Sequence, residues 1–90
     1  MKSKPILYVK TGCPWCSDAL AYFEKEKLEL DVRDVLQDDE ARKRMQKISG
    51  QSLTPTFEYG DFIVADFDIG EFKTAVDKHP DVKKELGLDS

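Results

Sequence analysis

The chain of 90 residues holds only two cysteines, one histidine and one tryptophan. It has no apolar run near the roughly 20 residues that span a bilayer. Each shortage excludes something. Two cysteines and a distant His79 fall short of the four ligands a structural zinc site wants. The N-terminal Met1-Lys2-Ser3-Lys4 carries positive charge, but the apolar stretch behind it stops at Val9, too soon for a secretory leader. A reducing, cytoplasmic setting is therefore expected, with no membrane association. Basic clusters are scarce as well: 14 Lys and Arg stand against 18 Asp and Glu, a net charge of −4, which argues against nucleic acid as a partner. The short Arg42-Lys43-Arg44 run reads as a solvated helix face, with attraction of an anionic substrate as its functional alternative. Repeats, low-complexity tracts and linkers are missing too. With 40% hydrophobic and 36% charged residues, positions 1–90 are expected to form a single soluble domain, a monomer with one modest core.

What is present centres on Lys10-Thr11-Gly12-Cys13-Pro14-Trp15-Cys16, which contains both cysteines. Pro5-Ile6-Leu7-Tyr8-Val9 before it is of strand type, buried on both faces, and Pro14 to about Lys25 behind it reads as helix. A Cys-x-x-Cys pair where a strand hands over to a helix is a redox signature. The chemistry needs this placement. Pro14 suits the first helical position, where a backbone N–H would be unpaired anyway. Cys13 then sits against free N–H groups and the positive end of the helix dipole, which favour an anion. A thiolate is such an anion, and cysteines so placed ionise early. Cys16, one turn on and on the same face, can attack a mixed disulfide formed at Cys13. Cys13 is thus the candidate nucleophile and Cys16 the resolving thiol, with Lys10 adding positive charge. A purely structural bridge would close too small a loop to stabilise much.

The rest of the chain alternates elements. Leu28 to Val35 alternates Leu28, Leu30 and Val32 with Glu29, Asp31 and Arg33, predicting a second strand at a sheet edge. Asp38 is the expected N-cap of a helix buried through Ala41, Met45 and Ile48 and closed by Gly50. Thr54 to Tyr59 and Phe62 to Ala65, joined by Gly60-Asp61, predict a β-hairpin with Pro55 at its start. Asp66 or Asp68 caps a helix from Ile69 to about His79, Pro80 breaks it, and a last turn or two runs from Val82 to Leu86. His79 reads as a surface residue. The order β-α-β-α-β-β-α, with a right-handed crossover joining the first two strands, implies a four-stranded mixed sheet flanked by helices.

The Lys-x-Gly-Cys-Pro-aromatic-Cys motif resembles the dithiol glutaredoxins of the thioredoxin fold, with Trp15 in place of the usual Tyr, and the resemblance runs from about Ile6 to His79. It implies an α/β, thioredoxin-like fold in the glutaredoxin form. It implies thiol–disulfide exchange at Cys13 and Cys16, supported by Lys10, Pro14, Trp15 and Pro55. It further implies that the bond before Pro55 is cis and faces the cysteines, and that glutathione serves as co-substrate, with no tightly bound cofactor and no metal. The family's glutathione contacts carry over to Lys10, Thr54, Pro55, Asp66 and Asp68. Leu53-Thr54-Pro55 keeps only the proline of the family's Thr-Val-Pro. Val64-Ala65-Asp66-Phe67-Asp68 lacks both glycines of its Gly-Gly-x-Asp-Asp, and Val64 and Ala65 add bulk there. The expected partners are glutathione and disulfide-bearing proteins. One alternative is an electron donor reduced by thioredoxin reductase. Another is an iron–sulfur cluster carrier, disfavoured by Pro14, since the family's cluster carriers more often have a small residue there.

Overall fold

Ile6 to Val9 is apolar and rich in residues that suit a pleated, covered surface, and it forms one of the sheet's two inner strands. The computed structural model describes residues 4–88; Met1, Lys2 and Ser3 of the charged N-terminal stretch lie outside the described residues. The elements in order are β1 (Ile6–Val9), α1 (Pro14–Lys25), β2 (Asp31–Asp34), α2 (Asp39–Ser49), β3 (Thr56–Tyr59), β4 (Phe62–Ala65), α3 (Ile69–Asp77) and α4 (Pro80–Glu85). The strands lie in the order β2-β1-β3-β4, with β1 parallel to β2 and antiparallel to β3, and β3 antiparallel to β4. This is the four-stranded mixed sheet of the expected thioredoxin-like fold. Among the described residues no helix is long and apolar enough to cross a membrane.

Strand alternation divides the core in two. Leu7, Val9, Phe57 and Tyr59 join Ala19 and Phe23 of α1 and Phe72 and Val76 of α3 in one cluster. Tyr8 joins Val35 and the α2 residues Ala41 and Met45 in a second. The first cluster is aromatic: Phe72 meets Phe23 and Phe57 with ring centroids 5.0 Å apart in both pairs, edge to face. Each such buried ring contributes about 1.5–3 kcal/mol from burial, and edge-to-face pairs add to that. The cluster fastens α1 and α3 to one face of the sheet, so the N-termini of both helices have fixed positions.

On the other face a charge is buried with its partners. Glu58 of β3 is 7% exposed; Tyr8 Oη donates to its Oε1 at 2.7 Å, and Arg44 of α2 pairs with Oε2. Burial alone would raise the Glu58 carboxyl; Arg44 and the Tyr8 hydroxyl overcome it and hold the group below the usual carboxylate range. Burial, then Glu58, push the Tyr8 phenol up to about 12. The Arg42-Lys43-Arg44 run is therefore partly structural: Arg44 holds Glu58, and Arg42 pairs with Asp39 one turn away.

The second strand differs from the alternation seen in the sequence. It covers Asp31–Asp34, and Val32, expected inward, is 46% exposed. Leu28 and Leu30 do pack against the first cluster, but from the connection that follows α1. Val32 shares the face of Leu7 by register, yet β2 is one of the sheet's two edge strands. Asp31 and Arg33, bonded to each other there, give that edge charge, which discourages pairing with another chain. The C-terminal helices also divide differently. α3 ends at Asp77, and Pro80, expected as a breaker, starts α4 as its first residue, the position that suits proline.

Candidate active site

The chain leaves β1 at Val9 and must turn at once into α1. Gly12 makes that turn with φ +85°, a conformation that favours glycine. The Thr11 hydroxyl donates to the Asp34 carboxylate at the end of β2, tying the turn to the neighbouring strand. Cys13 follows as the N-cap of α1 with Pro14 behind it at the start of the helix. The cap is the sulfur itself: Cys13 Sγ accepts the Cys16 backbone N–H at 3.2 Å, where a Ser or Asp oxygen would ordinarily stand.

Thr54 faces this sulfur from the segment before β3. The Thr54–Pro55 peptide bond is cis, as the resemblance implied. The Thr54 hydroxyl donates to Cys13 Sγ at 3.7 Å, and the thiol in turn reaches the Thr54 carbonyl at 3.9 Å. Both cysteines are free thiols, 9% and 3% exposed for Cys13 and Cys16. Their environments push them apart. Burial raises Cys13, but hydrogen bonds from the Cys16 thiol and backbone, the Thr54 hydroxyl and the Trp15 backbone outweigh it and hold the thiol below its ordinary range. Burial and the bond donated to Cys13 push Cys16 up. The Cys13 thiol is thus eased toward ionisation and the Cys16 thiol held back from it, a division that suits a nucleophile and a resolving group.

A measurable order of ionisation follows. Rates of iodoacetamide alkylation, followed by peptide mass analysis across pH 4–10, are expected to rise at Cys13 at lower pH than at Cys16. The reverse order would exchange the two roles.

Lys10 enters the site through its carbonyl, which accepts the Cys13 N–H at 3.1 Å, while its side chain is exposed. Trp15 is 58% exposed and stands on a groove of about 270 Å³ that it shares with Asp66, Phe67, Asp68 and Glu71. The structure thereby brings Trp15, Asp66 and Asp68 together. Thr54 and Pro55 instead meet at the sulfur side, outside the groove's lining. Val64 and Ala65, expected to add bulk here, do not line the groove either; Val64 packs against the core. Asp66 makes the bend after β4 with φ +50°. Asp68 is the N-cap of α3, and a reciprocal pair closes that helix end: the Glu71 N–H donates to Asp68 Oδ1 at 2.7 Å and the Asp68 N–H to Glu71 Oε1 at 3.1 Å. Asp-x-x-Glu at a helix start is a legible capping signature, so Glu71 is a groove residue the sequence could have disclosed.

Against known families, the glutaredoxin family model matches residues 6–63, more than half of the chain. The chain belongs to the glutaredoxin family. An uncharacterised glutaredoxin-like 8.6 kDa protein in the rubredoxin operon of Clostridium pasteurianum is 25% identical over 72 residues, 80% of this chain and 96% of that one. Solved structures agree on the fold. The Archaeoglobus fulgidus glutaredoxin superposes with a TM-score of 0.71 at 19% identity, covering 82% of this chain and 86% of its own. The buckwheat glutaredoxin, solved as a glutathione complex, gives 0.64 at 19% identity over 96% of this chain and 81% of its own. As a glutaredoxin-family protein, the chain carries a thiol–disulfide oxidoreductase-like site. Within that site the Thr11–Asp34 tie, which joins residues far apart in the chain, had no sequence signal. The resemblance placed the Thr54–Pro55 bond facing the cysteines, and the structure adds the hydrogen bond from the Thr54 hydroxyl.

Proposed function

We propose that this glutaredoxin-family protein reduces disulfides, and mixed disulfides with glutathione, by exchange at Cys13, and that glutathione returns it to the dithiol. The observation that carries the reading is the Cys13 sulfur at the start of α1, accepting from Cys16 with Thr54 opposite. The Cys13 thiolate attacks one sulfur of the substrate disulfide. A Cys13–substrate bond forms, the substrate's own S–S bond breaks, and the departing thiolate takes a proton from water. Burial keeps Cys16 high throughout, but its bond to the Cys13 sulfur and the charge there also raise it, and both vanish once Cys13 is in a mixed disulfide. Cys16 then releases its proton, attacks Cys13 Sγ, and expels the reduced substrate, leaving a Cys13–Cys16 disulfide. Two glutathione thiols reduce that bridge and leave as glutathione disulfide. Glutathione is a co-substrate on this reading, protein disulfides are the other partners, and the monomer works in the cytoplasm.

The glutathione part draws support from the groove beside Trp15 and from the buckwheat relative, whose structure is a glutathione complex. Lys10, Thr54, Pro55, Asp66 and Asp68 are the residues offered to the tripeptide. A second reading, reduction by thioredoxin reductase, is favoured by one feature of the same groove. Its charged lining is Asp66, Asp68 and Glu71, and the last two already cap α3, whereas glutathione brings two carboxylates. Turnover of a small mixed disulfide, coupled to glutathione with glutathione reductase and, in parallel, to thioredoxin reductase, separates the readings. Activity only in the second assay would remove glutathione as reductant. Glu71→Gln retains a side chain that serves in the capping box and removes one charge. Its KM for a glutathionylated substrate is expected to fall about two- to threefold, the scale of one exposed charge.

A further inference from the structure

Gln51 lies between α2 and β3, four residues ahead of Pro55, and nothing in the chemistry above uses it. Its side chain is bonded at both ends. Oε1 accepts the Leu53 backbone N–H. Nε2 donates to Thr56 Oγ1 at 3.1 Å and to Ser49 Oγ at 2.9 Å. The Thr56 hydroxyl, fully buried, donates onward to the Leu53 carbonyl at 2.9 Å, and the Ser49 hydroxyl donates to the Met45 carbonyl in α2. The orientation of the amide follows from these partners: the Leu53 N–H can only donate, so the oxygen must face it. One amide therefore grips Leu53 and Thr56, the residues on either side of Thr54-Pro55, and anchors them to the last turn of α2.

We propose that Gln51 is a positioning residue of the sulfur site, clamping the Leu53–Thr56 segment so that the Thr54 hydroxyl is held against Cys13 Sγ. The clamp matters because the Thr54 contact at 3.7 Å is long, and a hydrogen bond to an anion weakens steeply as it lengthens or tilts. A segment released at Gln51 still has its other backbone contacts, so the fold survives; what it loses is the alignment of one hydroxyl with one sulfur. The inference rests on Cys13 being the nucleophile, and it is indifferent to whether glutathione or a reductase supplies the electrons.

The test reads the thiol directly, without turnover. The pH profile of Cys13 alkylation by iodoacetamide is measured for the wild type, Gln51→Ala, Thr54→Val and the double variant, with Tm recorded for each. Gln51→Ala is expected to move the Cys13 profile to higher pH, slowing alkylation near neutral pH on the order of three- to tenfold, as expected for weakening a hydrogen bond to an anion. Thr54→Val, which removes the hydroxyl at nearly constant shape, is expected to do the same or more. In the double variant Gln51→Ala adds nothing, because the group it positions is gone. Gln51→Glu, whose carboxylate still accepts the Leu53 N–H, is expected to retain part of the wild-type profile. If Gln51→Ala lowers Tm but leaves the Cys13 profile unchanged, Gln51 is only structural and the proposal fails. An equal shift from Gln51→Ala with and without the Thr54 hydroxyl also overturns it. A wild-type protein in which Cys16 ionises first would instead refute the assignment of the nucleophile, a distinct result visible before any variant is made.

Discussion

Cys13→Ser is expected to reduce disulfide exchange to the uncatalysed background, while Cys16→Ser keeps turnover of mixed disulfides with glutathione and loses reduction of protein disulfides. The difference comes from what each sulfur does. A serine hydroxyl at position 13 would still cap α1 by accepting the Cys16 N–H, so the helix stands and the variant folds. It would not ionise near neutral pH, and an alcohol does not displace a thiolate from sulfur, so the chemistry stops. At position 16 the change removes the resolving thiol, while the serine hydroxyl and the backbone N–H can still donate to the Cys13 sulfur. The nucleophile remains. A substrate joined to Cys13 can then leave only if a second thiol arrives from solution. Glutathione can supply it to a small mixed disulfide; a protein substrate has no such exit. Intact-mass analysis of Cys16→Ser after exposure to a disulfide-bearing protein is expected to show an adduct at Cys13 that dithiothreitol releases. Full protein-disulfide reduction by Cys16→Ser would refute the resolving role.

Phe72→Ala is expected to produce the largest loss of stability of any single truncation in the aromatic cluster. Phe72 is fully buried and meets the rings of Tyr22, Phe23, Phe57, Phe62 and Phe67. Truncating a buried Phe removes its transfer free energy and leaves a cavity, together about 3–5 kcal/mol. Partners from one helix, two strands and the segment before α3 cannot all move inward to close that space. A domain of this size has on the order of 5–13 kcal/mol of stability in total. Thermal unfolding followed by circular dichroism should therefore show Tm lower by roughly 15–30 °C. A shift below about 5 °C would show that the cluster closes around the missing ring. The consequence reaches function, since Phe72 stands in the first turn of α3 and its N–H bonds the Asp68 carbonyl, so it fixes the acidic groove beside Trp15.

Features whose cause lies within a few residues were legible in the sequence by itself. Cys13 before Pro14 marks the N-cap of α1, because proline's missing N–H and fixed φ belong at a helix start. Asp38 and Gly50 bounded α2, and Gly60-Asp61 turned the hairpin, for equally local reasons. β1 was legible because an apolar run that short has to be covered on both faces, which also required the helices to occupy both sides. The cis Thr54–Pro55 bond was reached through family resemblance, since nothing in a neighbouring residue dictates it.

Only the tertiary structure decided features that depend on which surfaces meet. Alternation in Leu28 to Val35 could not reveal that Val32 lies at an uncovered edge, because the pattern records polarity and not the reach of the layer above it. The sequence offers the bulk of Val64 to the groove, whereas strand pairing turns it toward the core. Glu58 gave no sign of being a buried carboxylate, since its partners Tyr8 and Arg44 are 50 and 14 residues away. The hydrogen bonds of Thr54 and Gln51 are silent for the same reason. Thr54 meets Cys13 across 41 residues of chain, and the amide of Gln51 matters only because folding closes the segment it grips. Local backbone chemistry set where the reactive sulfur begins its helix. The approach of a distant hydroxyl, held in place by packing, set what that sulfur faces.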